Sequence, residues 1–151
     1  MKLEFSGSPE IAAPRERVWE RLMDPDFVAQ SAPGVESVEA IDPTHFKVVS
    51  GFGVGSIKLR FAMDVELFDV VPNKTANMRV RGKAPGSAVD VVSRFEIQDS
   101  GSNRVRLNWS ATSEISGTVA SVGARLMEGT ARKLTEQFWT DFARRVSQDG
   151  H

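Results

Sequence analysis

The alternation of apolar and polar residues is clearest in the middle of the chain. Ile57, Leu59, Phe61, Met63, Val65 and Leu67 interleave with Ser56, Lys58, Arg60, Ala62, Asp64 and Glu66. A period of two marks a strand with one buried and one wet face. The period recurs three times. Ala76, Met78 and Val80 oppose Asn77, Arg79 and Arg81; Val89, Val91, Phe95 and Ile97 oppose Asp90, Arg94 and Glu96. Val105, Leu107, Trp109, Ala111 and Ile115 oppose Arg104, Arg106, Asn108 and Glu114. Turn-forming Asp42-Pro43, Pro72-Asn73, Pro85-Gly86 and Asp99-Ser100-Gly101 separate the runs. Residues 35–117 therefore read as about six antiparallel strands sharing one apolar face.

The flanks read differently. Leu3, Phe5 and Ile11 suggest a first strand over 3–12, which Pro9 confines to an edge or a bulge. Pro14 suits a first helical turn, where its missing N–H is no loss, and predicts a short helix to Met23 with Val18, Trp19 and Leu22 on one stripe. Asp24-Pro25 interrupts it, and a second short helix runs from Pro25 to Ser31, ended by Pro33-Gly34. At the other end Met127, Ala131, Leu134, Phe138 and Phe142, widened by Leu126, form one face of a helix over 119–147. At 1.5 Å per residue it would be roughly 43 Å long.

The predicted class is α+β. About seven antiparallel strands form a sheet that must curl, and two short helices follow strand 1. The long C-terminal helix has only the concave apolar face to pack on, and any gap between them would be a lipophilic cavity. Singly, Met63, Met78, Met127, Phe61, Phe95, Trp109, Leu134 and Phe138 are ordinary core residues. Together they are an adaptable apolar lining.

Composition narrows the chemistry. With 151 residues the chain fits one domain, read as residues 1–148, followed by a C-terminal end at 149–151. Cysteine is absent and only His45 and His151 are present, so thiol nucleophiles, disulfides and zinc–thiolate sites are excluded and no metal site is expected. The net charge of −1 lacks the footprint of a nucleic-acid binder. No apolar run approaches a membrane span and no signal-peptide core follows Met1, which places the expectation in the cytoplasm.

Candidate chemistry is sparse. Gly51-Phe52-Gly53-Val54-Gly55-Ser56 is followed by a strand, not a helix, so it reads as a glycine-rich hairpin loop near a cavity mouth rather than a phosphate cradle. His45 reads as a turn residue. Asp90, Arg94, Glu96, Arg104, Arg106 and Glu114 read as a solvated sheet face with cross-strand ion pairs, with Asp90 near a pocket rim. Gly117, Gly123 and Gly129 at the helix start suggest either close helix–sheet packing or room for a ligand.

Ile11-Ala12-Ala13-Pro14, Val18-Trp19, Leu22 and Asp24-Pro25 resemble the opening of the START/Bet v 1-like (SRPBCC) superfamily, the helix-grip fold. Ala32-Pro33-Gly34-Val35-Glu36-Ser37 is similar to the proline–glycine turn of the CoxG family, named for carbon monoxide dehydrogenase. Val122-Gly123-Ala124-Arg125-Leu126, Gly129-Thr130-Ala131-Arg132-Lys133-Leu134 and Gln137-Phe138 resemble that family's C-terminal helix motif. The resemblance covers about residues 1–146. One departure is the 82–90 segment, which is poorer in glycine and carries Asp90. Another is the flexible, membrane-associating tail of many relatives, which is expected to be absent or truncated here.

The resemblance implies a non-enzymatic accessory protein of molybdenum-containing carbon monoxide dehydrogenase or a related hydroxylase. It would aid membrane recruitment, with peripheral association through such a tail at the inner face of the cell membrane, or electron transfer. Its ligand would be lipophilic, a quinone or isoprenoid lipid, with no other cofactor. The expected cavity wall is Phe61, Met63, Val80, Phe95, Trp109, Met127, Leu134 and Phe138, its mouth near Pro33-Gly34, the 51–56 loop and the 84–88 turn. Two alternatives stand beside it. One is a docking module with a filled core. The other is a cyclase-like enzyme, for which Asp90 and His45 are the candidate groups.

Overall fold

The computed structural model describes residues 1–148; the expected C-terminal end, 149–151, lies outside the described residues. The chain runs β1 (Lys2–Gly7), β2 (Glu10–Ile11), α1 (Arg15–Leu22), α2 (Pro25–Ser31), β3 (Val35–Asp42), β4 (His45–Val54), β5 (Ile57–Val71), β6 (Thr75–Ala84), β7 (Ser87–Gly101), β8 (Arg104–Gly117), a 3-10 turn (Thr118–Val122) and α3 (Ala124–Gln148). The strands form one antiparallel sheet in the order β1-β8-β7-β6-β5-β4-β3, with β2 also paired to β8. This is the antiparallel sheet with one long C-terminal helix expected from the alternation, and the helix-grip architecture that the resemblance implies.

Local chemistry explains the boundaries. Pro9 cannot donate to a ladder and splits the first strand in two, yet its carbonyl still accepts from Leu107 N at 3.0 Å. Pro14 precedes the first turn of α1, which buries Val18 and Leu22. Asp24 caps α2, its carboxylate accepting from the backbone N–H groups of Asp26 and Phe27 at 3.1 and 3.2 Å. Arg15 fixes α1 to the sheet by donating to the carbonyls of Asn73 (2.6 Å) and Ile97 (3.1 Å) and pairing with Asp99.

Three expectations change. Gly51 and Gly53 lie inside β4, and only Gly55-Ser56 turn the chain; Gly51 pairs with Arg60 and Gly53 with Lys58, so the glycine run is mostly ladder. The turn after β7 falls at Ser102-Asn103, because pairing extends to Gly101–Arg104. The long helix starts at Ala124, not at 119. Gly123 has φ +97°, a left-handed conformation open to glycine, and it separates the 3-10 turn from α3.

The core forms three clusters. Trp139, Phe142 and Val146 of α3 pack with Ile11, Val18, Leu22, Phe95, Ile97, Val105 and Leu107. Near the start of α3, Met127 and Val119 pack with Leu3, Val54, Phe61 and Ile115. Phe46, Val48 and Val65 form the third. Leu126, expected to widen the buried stripe, is 43% exposed. The buried stripe of the second half of α3 runs through Trp139, Phe142 and Val146, at spacings of three and four.

Candidate functional site

A cavity of about 270 Å³ lies between the sheet and the second half of α3. The α1–α2 corner contributes Leu22, Met23, Pro25 and Val28. The concave sheet contributes Phe46 from β4, Leu67 from β5, Met78 from β6, Val91, Ser93 and Phe95 from β7, and Trp109 and Ala111 from β8. Phe138 and Trp139 of α3 complete it. Every lining side chain is apolar or aromatic except that of Ser93, so the site offers desolvation and shape rather than charge.

The aromatic wall is continuous. Trp139 stacks on Trp109 at 5.8 Å between ring centroids and meets Phe138, Phe142 and Phe95 edge-on at 4.8, 5.6 and 6.1 Å. Such offset and edge-to-face pairs fix ring positions as well as burying area. Gly7, the cross-strand partner of Trp109, makes this possible, since a Cβ there would lie 2.8 Å from Trp109 Nε1.

Three of the eight expected wall residues, Phe95, Trp109 and Phe138, line this cavity. The other five do not. Phe61 and Met127 are buried in the cluster near the start of α3, where Phe61 stacks on Phe52 at 5.1 Å. Met63 folds over Gly82, whose Cβ position is 3.0 Å from Met63 Cγ. Val80 packs beside Phe46, Val48 and Val65. Leu134 is half-buried between the two ends of the helix. The physical reason is that Met127 and Val119 fill the space at the start of α3, leaving the gap at the other end. None of Pro33-Gly34, 51–56 and 84–88, where the mouth was expected, lines the cavity, whereas the α1–α2 corner does.

Trp139 is missing from the expected stripe although it lies three residues before Phe142. Phe46, Leu67, Met78, Val91 and Ala111 occupy inward positions of strands that the alternation marks or extends. Ser93 is the break in the inward row Val89, Val91, Phe95, Ile97. That polar interruption is the legible signal.

The candidate acid–base groups lie elsewhere. Asp90 pairs across strands with Arg79 at 3.2 Å and is not among the residues lining the cavity. His45 Nδ1 contacts the Asp42 carboxylate at 2.9 and 3.0 Å on the exposed hairpin between β3 and β4. This contact, with the Thr44 N–H, holds the Asp42 carboxyl down at about 2, and Asp42 in turn raises His45. Among the described residues no group of three or more acidic or histidine side chains could hold a metal. Nor is any described helix long and apolar enough to cross a membrane. Gly123 and Gly129 have open space where a side chain would be, so neither marks close helix–sheet packing.

The sequence matches the profile of the carbon monoxide dehydrogenase CoxG family over residues 7–147. No curated protein matches it. Among solved structures, a conserved protein from Geobacillus kaustophilus superposes with a TM-score of 0.90 at 24% identity, covering 99% of this chain and 98% of that one. A START superfamily protein from Mycobacterium smegmatis gives 0.73 at 14% identity, with 96% and 97% covered. The Zhui aromatase/cyclase from Streptomyces sp. R1128 gives 0.76 at 15% identity, with 100% and 97% covered. At these identities the structural likenesses establish the fold.

Proposed function

The chain belongs to the carbon monoxide dehydrogenase CoxG family, and from that premise we propose that it is a non-enzymatic accessory protein that holds a lipophilic ligand between its sheet and α3. One observation carries the reading: the cavity is bounded by apolar and aromatic side chains with a single hydroxyl among them. Binding would be driven by burial of apolar surface, about 25 cal/mol per Å², and oriented by few polar groups.

The volume narrows the ligand. The cavity of about 270 Å³ has room for a single or fused ring. A quinone would place its ring against the aromatic wall of Trp109 and Trp139. The family's link to carbon monoxide dehydrogenase makes such a redox-active ring the natural cargo, carried between a molybdenum hydroxylase and the membrane.

Native mass spectrometry of the purified protein, followed by solvent extraction and lipid identification, tests this. A stoichiometric quinone or isoprenoid supports the carrier. A bare protein that also refuses added quinones leaves a protein-docking module in its place.

A further inference from the structure

The cavity wall holds one hydroxyl that no described residue engages. Ser93 is 5% exposed, and its Oγ is buried with no hydrogen-bond partner among the described residues. Along β7 its inward neighbours are Val91 and Phe95; across the sheet it pairs with Met78 on β6 and Ala111 on β8. All four are apolar and all four line the cavity. A buried hydroxyl without a partner destabilises a fold, and apolar replacements of similar size avoid the penalty. Ser87, on the same strand, is also buried, but its Oγ accepts from the Val119 N–H at 2.9 Å and ties β7 to the 3-10 turn. Ser93 has no such structural employment.

We propose that Ser93 is the polar anchor of the ligand site, its hydroxyl donating a hydrogen bond to a carbonyl or similar acceptor oxygen on an otherwise apolar, ring-sized molecule. The proposal rests on the cavity being a ligand site and specifies what that site selects. The donor lies at mid-sheet, beside the Phe95–Trp109 cross-strand pair and its Trp139 neighbour. A flat ring packed against these aromatics would bring one edge to the hydroxyl. A hydrocarbon of the same shape would leave Ser93 unpaired, so discrimination would come from the penalty on the wrong ligand as much as from the gain on the right one.

The test compares α-tetralone with tetralin, which share a fused-ring frame and differ by one carbonyl. Each is titrated as a competitor of N-phenylnaphthylamine bound to wild type, Ser93→Ala and Ser93→Thr. Expected is a fall of roughly two- to tenfold in the ketone's affinity relative to the hydrocarbon in Ser93→Ala, the worth of one neutral hydrogen bond. Ser93→Thr, which keeps the hydroxyl, should keep the wild-type ratio. An unchanged ratio in Ser93→Ala, with both compounds bound, overturns the anchor and leaves the cavity standing. Failure of wild type to bind either compound overturns the ligand site and the anchor together. The melting temperature gives a second readout. It should stay level or rise in Ser93→Ala, and a fall would show that the hydroxyl serves the fold instead.

Discussion

The guanidinium of Arg145 lies 4.0 Å from the centroid of the Phe27 ring and donates to the carbonyl oxygen of the same residue at 2.8 Å. It also reaches Ser31 Oγ, and Gln30 Oε1 at 2.9 Å. The last turns of α3 thus grip α2, while Arg21 sits 5.2 Å from the same ring centroid. At seven residues α2 is too short to persist by itself. Its Pro25 and Val28 wall the cavity, so Arg145 holds part of the site in place without touching a ligand.

Arg145→Met should therefore loosen that wall. It removes a cation–π contact and a set of charge-assisted hydrogen bonds, together worth about 2 kcal/mol. Urea unfolding should show that loss, and hydrogen exchange should accelerate over 25–31 more than elsewhere. Arg145→Lys should be intermediate, since an ammonium cannot reproduce the planar fork. Unchanged exchange in α2 would mean that other contacts hold it.

The two ends of α3 can be told apart by a pair of substitutions. Ala111→Leu adds three carbons inside the cavity and should reduce affinity for a lipophilic probe by tenfold or more while leaving stability equal or higher. Phe61→Ala should cost about 3–5 kcal/mol, yet the folded fraction should bind the probe as wild type does. A reversed pattern in dye binding and thermal unfolding would move the ligand site to the Met127 end.

Much of this arrangement is legible in the sequence because it depends on local rules. Pro9 breaks a strand, Asp24-Pro25 opens a helix, and the inward rows of β5 to β8 follow from a period of two. What the pattern misses depends on tertiary placement. Gly51 and Gly53 look like loop residues, but β5 supplies ladder partners for both. Leu126 fits a helical stripe, yet it stays 43% exposed while Met127 beside it enters the core. Phe61 and Phe95 are indistinguishable by pattern. Which one borders empty space depends on where Met127 and Val119 fill the grip, and periodicity carries no information about that. Ser93 shows the converse: a single polar residue at an inward position is readable, but the apolar residues on either side complete the pattern without it and mask its meaning.

The exposed His45–Asp42 contact gives a titration with a defined sign. Asp42 raises the imidazole above its ordinary 6.5, so the contact's contribution is present below that value and fades as pH climbs through the raised one. On the acid side the Asp42 carboxylate, held at about 2 against an ordinary 3.8, keeps contributing above 3.8 and loses it as pH falls towards 2. An NMR titration should place His45 above 6.5, and Asp42→Asn should bring it down. Because both groups are exposed, the melting temperature should change little across the same range. An imidazole that titrates identically in both proteins would show that the contact does not persist in solution.

Two glycines make opposite predictions. At Gly7 a Cβ would stand 2.8, 3.1 and 3.2 Å from three atoms of the Trp109 indole, so the ring lies against bare backbone of β1. Gly7→Ala leaves the strand's conformation accessible but forces the indole to give way. Trp139 stacks at 5.8 Å and resists on its side, so part of the shift must go into the cavity. Expected are a loss of about 1–3 kcal/mol from crowding, a change in tryptophan emission, and a several-fold weaker lipophilic probe. Gly129, within α3, has nothing within 4 Å of its Cβ position. Gly129→Ala should instead stabilise by about 1 kcal/mol through helix propensity and leave emission and probe affinity unchanged. If Gly7→Ala also left emission and affinity unchanged, the close approach at Gly7 would not be what positions Trp109 in the cavity wall.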